Sequence, residues 1–97
     1  MKDTEQEQYK INLFKAILSL KNTDECDRFF SDLCTMSELK SMYQRFEVAQ
    51  MLLNKKVYTD IISKTGASTA TISRVNRALS YGEDGYKLII DRLNKQN

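Results

Sequence analysis

An all-α fold is predicted by three observations on this 97-residue chain. There is no proline, and glycine occurs only three times, so almost nothing inside a helix would break it. No segment sustains the period-two alternation of a half-buried strand. Apolar residues instead recur at three- and four-residue steps, the spacing of one helical face. The length suits one domain, read here as residues 1–97, near the low end of what holds a core alone. Self-association is therefore an expectation from the start.

The elements follow in order. Between Gln6 and Leu20, Tyr9, Leu13, Ile17 and Leu20 form one apolar face, and Ile11, Phe14 and Leu18 form a second. An arc that wide needs neighbours on two sides, and in so short a chain one neighbour can be another subunit. Asn22-Thr23-Asp24 offers an N-cap to a short helix carrying Phe29, Phe30, Leu33 and Cys34. Thr35 and Glu38 have capping-box spacing at the head of a long helix reaching about Asn54. Its stripe is Leu39, Met42, Phe46, Ala49 and Leu53, broadened by Tyr43, Val48, Met51 and Leu52. A short helix over about Tyr58–Lys64 carries Ile61 and Ile62, and Gly66 suits the left-handed position that ends it. Ser68 can cap a following helix reaching about Ser80. Gly82 and Gly85 flank an acidic loop, and Tyr86, Ile89, Ile90 and Leu93 mark a last helix.

Composition narrows the function. Histidine is absent, which removes its acid/base and metal-ligand roles, and two cysteines eight residues apart make a poor zinc site. Neither a glycine-rich phosphate loop nor a credible metal set is present, so the chain is not expected to be an enzyme, and no cofactor is expected. The N-terminus lacks an apolar signal core and no apolar run reaches membrane-spanning length, so a cytoplasmic location with reduced thiols is expected. Net charge is only +2, but residues 1–50 carry a balance of −2 and residues 51–97 a balance of +4. Within 55–77, Lys55, Lys56, Lys64, Arg74 and Arg77 face Asp60 alone, a basic patch suited to a polyanion.

Two short helices joined by a tight glycine turn, over about 57–80, have the form of a helix-turn-helix. In the second helix Ala70, Ile72, Val75 and Leu79 are apolar and expected to lean on Ile61 and Ile62, while Thr69, Ser73, Asn76 and Arg77 lie opposite. A recognition helix reads base edges from its N-terminal residues, and close approach to the major groove requires small side chains there. Ser68, Thr69, Thr71 and Ser73 supply them. A Thr hydroxyl can bond a base or phosphate, and its methyl can pack on a thymine methyl. Arg74 and Arg77, further along, can reach phosphate or a guanine edge, with Lys55, Lys56 and Lys64 as phosphate partners. The partner expected is double-stranded DNA. A helical protein-interaction module that does not bind DNA is the alternative, and the modest net charge favours it.

GASTATISRVNRAL at 66–79, with QRFEVAQMLL upstream, resembles the Trp-repressor superfamily and within it the YerC/YecD branch of small bacterial proteins. The likeness spans about Leu33 to Leu93. It implies a six-helix fold, an intertwined homodimer and a transcriptional repressor of operator DNA. In the tryptophan repressor two arginines hold the corepressor. Their positions match Arg45 and Arg74, and a threonine of that site matches Thr35. Three positions depart: Val75 and Ala78 stand where the tryptophan binder has glycine and serine, and Asp32 where it has a pocket leucine. These departures argue against tryptophan, while the arginine pair keeps open an effector that is another small anionic or zwitterionic molecule; the alternative is that Arg45 pairs with Glu47, Asp32 or another acid and Arg74 contacts phosphate.

Overall fold

The computed structural model describes residues 2–96 and contains, among them, six α-helices and no strand. They are α1 (Asp3–Leu18), α2 (Thr23–Leu33), α3 (Met36–Leu53), α4 (Tyr58–Thr65), α5 (Thr69–Tyr81) and α6 (Gly85–Lys95). The chain through Met36 forms one compact unit, and the chain from Ser37 onward forms another.

In the first unit, α1 opens with Asp3 and Glu5 and closes with Lys15, charges that suit the two ends of the helix dipole. It stops at Leu18, where the Ser19 hydroxyl donates to the Ala16 carbonyl at 2.6 Å. None of its residues is buried. Tyr9 is 56% exposed, Phe14 52% and Leu18 83%, while Leu13 and Ile17 are half-buried. Only part of the first apolar face is covered by this chain, and the second is open. α2 begins as expected: the Asn22 side chain accepts the Glu25 N–H at 2.9 Å. The Glu25 carboxylate in turn accepts the Lys21 N–H at 3.0 Å. Cys26 and Cys34 are free thiols, half-buried rather than within a core.

The second unit owns the buried core. Val48, Ala49 and Met51 of α3 pack with Ile61 of α4 and with Ala67 in the turn. Ile72, Val75 and Leu79 of α5 and Ile90 of α6 complete it. Val48 and Met51, assigned to the flanks of the α3 stripe on sequence, are buried, whereas Tyr43 is 59% exposed. α3 ends in a Schellman arrangement: the Lys55 N–H bonds the Leu52 carbonyl and the Lys56 N–H the Met51 carbonyl, both at 3.0 Å. Lys55 sits at φ 64°, the left-handed position usually given to glycine. Directly before α6, Asp84 is left-handed as well, at φ 60°. Gly82 closes α5 so tightly that a Cβ there would collide with the Ala78 carbonyl oxygen.

Candidate nucleic-acid interface

α4 ends where Gly66 turns left-handed, at φ 71° and ψ 8°, and its N–H bonds the Ile62 carbonyl at 2.9 Å. Beyond Gly66 and its two chain neighbours no atom lies within 4 Å of where a Cβ would stand, so backbone conformation and not space selects glycine. Thr65 stiffens the turn. Its hydroxyl donates to the Ile61 carbonyl at 2.7 Å and accepts the Ala67 N–H at 3.1 Å. Ser68 is then the N-cap of α5: its hydroxyl oxygen accepts the Thr71 N–H at 3.1 Å and donates to the Thr71 hydroxyl at 3.0 Å.

α5 divides along its length. Ile72, Val75 and Leu79 are buried at successive three- and four-residue steps. Thr69, Ser73, Arg74, Asn76 and Arg77 are exposed. Two expectations change. Ala70 lies on the exposed side, because it sits about 200° around the helix from Ile72 and so away from the α3 contact. Ile62 is 38% exposed, and Ile61 alone carries the α4 side of the packing. Thr71 is half-buried and its hydroxyl is engaged by Ser68.

Lys55, Lys56 and Lys64 are exposed, as are Arg74 and Arg77. Among the described residues none of these five pairs with a carboxylate. Cations held neither by burial nor by a local acid remain available to an external polyanion. No group of three or more Cys, Asp or Glu able to hold a metal occurs among the described residues, and no described helix is long and apolar enough to cross a membrane.

The sequence pattern of the Trp repressor protein family matches residues 8–94, extending the likeness read from sequence back into α1. The chain belongs to the Trp repressor family. YerC of Bacillus subtilis, an uncharacterized protein, is 57% identical over 81 residues, covering 84% of this chain and 78% of its own length. Two solved structures share the fold. A TrpR-like protein from Eubacterium eligens superposes with a TM-score of 0.88 at 59% identity, covering 90% of both chains. A Staphylococcus aureus chain proposed to be a Trp repressor also reaches 0.88, at 46% identity over 97% of this chain and 96% of that one. The Trp repressor family is one of DNA-binding regulators and not of enzymes.

The residues that family likeness assigns to an effector lie on different elements. Arg45 is half-buried on α3, Arg74 is exposed on α5, and Thr35 belongs to the first unit, directly before α3. Arg45 forms no ion pair with the nearby Glu47. Val75 is only 2% exposed and belongs to the core of the second unit. Sequence reasoning did not find the cavity of about 400 Å³ lined by Phe46, Ala78, Glu83, Gly85, Tyr86 and Ile89. Its walls come from α3, α5, the α5–α6 connection and α6, and only the apolar spacing of Phe46, Tyr86 and Ile89 hinted at it. The Phe46 and Tyr86 rings lie 6.5 Å apart and tilted by 38°.

Proposed function

We propose that this protein is a cytoplasmic, homodimeric transcriptional repressor that inserts the front of α5 into the major groove of its operator. The observation that carries this reading is the division of α5. Three buried residues fix the helix to the core, and small hydroxyl residues lead an outer face that ends in two arginines. Thr69 and Ser73 are placed to read base edges. Ser68 and Thr71 hold the helix start, whose free amides favour a nearby phosphate. Arg74 and Arg77 reach phosphate or guanine, and Lys55, Lys56 and Lys64 neutralise the backbone. The homodimer is supported by α1, which buries none of its residues in its own chain. By the family likeness, Arg45 and Arg74 would hold an effector. With Val75 filling the core beside Arg74 and Ala78 lacking a hydroxyl, that effector is not tryptophan.

Fluorescence anisotropy with DNA selected by the protein tests the reading. Affinity should fall steeply with salt, as counterions are released from phosphates. Thr69→Ala should relax base preference, costing about 1–3 kcal/mol on the preferred sequence. Lys56→Ala should weaken all sequences alike, and millimolar tryptophan should leave the affinity unchanged. Absence of saturable binding to any DNA at low salt would favour the protein-interaction module instead.

A further inference from the structure

The α4–turn–α5 pair rests on α3 mainly through apolar contacts, and the hydrophobic effect is non-directional. It brings the surfaces together without naming one rotation of the pair. One hydrogen bond does have a direction. Gln44, half-buried on α3, donates its Nε2 to the Thr65 carbonyl oxygen at 3.1 Å. Thr65 is the last residue of α4, so its carbonyl is among those left without a donor inside the helix. The Thr65 hydroxyl already ties the end of α4 to the turn through Ile61 and Ala67. Gln44 therefore grips the turn at the residue from which Gly66 and then α5 depart.

We propose that Gln44 is a positioning residue for DNA reading: its bond to the Thr65 carbonyl sets the angle of α5 against α3, and hence where each reading helix meets its half-site. The proposal rests on the function proposed above. Arg77 lies nine residues beyond Ser68, about 14 Å along the helix, so a tilt of about 10° at the turn moves it by about 2 Å. That displacement is several times the range of about 0.5 Å over which a hydrogen bond keeps its length. In a two-fold dimer the same error enters at both half-sites, whose centres must lie about 34 Å apart. Loss of the tether therefore loosens the spacing the dimer accepts, while the base contacts at the front of α5 stay the same.

Two variants test this. Gln44→Met keeps length and helix propensity but cannot donate. Gln44→Glu keeps the shape and turns an acceptor toward an acceptor. Wild type and variants are titrated against the selected operator and against versions with half-sites one base pair closer or farther. The wild type should prefer its own spacing by about tenfold and both variants by less than about threefold, the scale of one lost hydrogen bond. The preferred bases and the non-specific affinity should not change. General destabilisation would lower every affinity together and leave the spacing ratio intact. An unchanged ratio in both variants overturns the proposal. If the wild type selects no sequence, the DNA reading fails and the tether is decided separately by N–H residual dipolar couplings. Couplings of α5 that shift relative to those of α3 in Gln44→Met support the tether, and unchanged couplings overturn it.

Discussion

α1 and α5 are helices of similar size, 16 and 13 residues, with opposite relations to the rest of the chain. α5 buries Ile72, Val75 and Leu79 on one narrow stripe and leaves the other side polar. α1 has no fully buried residue, although seven large apolar residues lie between Tyr9 and Leu20, within it or just beyond its end. The difference lies in the width of the apolar arc. A narrow stripe is satisfied by one neighbour, and the chain supplies it. An arc that takes in Tyr9, Leu13 and Ile17 as well as Ile11, Phe14 and Leu18 exceeds what one neighbour can cover. The core that seats α5 is thus supplied by its own chain, whereas α1 leaves apolar surface open, as the proposed second copy would require.

Breaking the core that seats α5 should cost most. Ile72→Ala removes a fully buried side chain from the middle of the core and should destabilise the fold by about 2–5 kcal/mol, read by urea unfolding. Ser68→Ala takes away the N-cap of α5 and should cost about 1 kcal/mol in the same assay, with hydrogen exchange quickening first at the Thr71 amide. The contrasting change is Phe14→Ser in α1. Phe14 is 52% exposed in the chain, so at high dilution the substitution should alter stability by no more than about 0.5 kcal/mol. Its effect should appear as concentration rises, because wild-type unfolding should shift with protein concentration and the variant's should not. A wild type insensitive to concentration would remove the contrast between the two helices.

Much of this was legible in the sequence because capping and helical period are local. Asn22, Ser68 and Gly66 declare their roles by residue type, and Ile72, Val75 and Leu79 declare theirs by spacing. What was not legible depends on tertiary direction. Ala70 and Ile62 are apolar residues at helical spacing, yet each points away from the neighbour that packs its helix. Lys55 takes a left-handed backbone that its residue type argues against, because the Schellman hydrogen bonds at Lys55 and Lys56 stop α3 at that point. The Gln44–Thr65 bond joins residues 21 positions apart and no local pattern announces it. The cavity beside Phe46 and Tyr86 arises only once three helices have met.

Of the candidate site, the exposed cations and the leading hydroxyl residues were readable from charge and spacing. The division of labour among the hydroxyls was not. The pairing of Ser68 with Thr71 leaves Thr69 and Ser73 as the exposed hydroxyl side chains at the front of α5, alongside the capping serine. The proposed reader is accordingly narrower than the Ser/Thr-rich segment suggests.

The central claim is that two copies of α5 read DNA together. Selection of bound sequences from a random DNA pool by the wild-type protein, followed by footprinting, tests it most directly. The account predicts enrichment of one two-fold symmetric site whose half-sites lie about 34 Å apart, roughly one helical turn. A pool that shows no enriched sequence, or a single half-site with no symmetric partner, would contradict it.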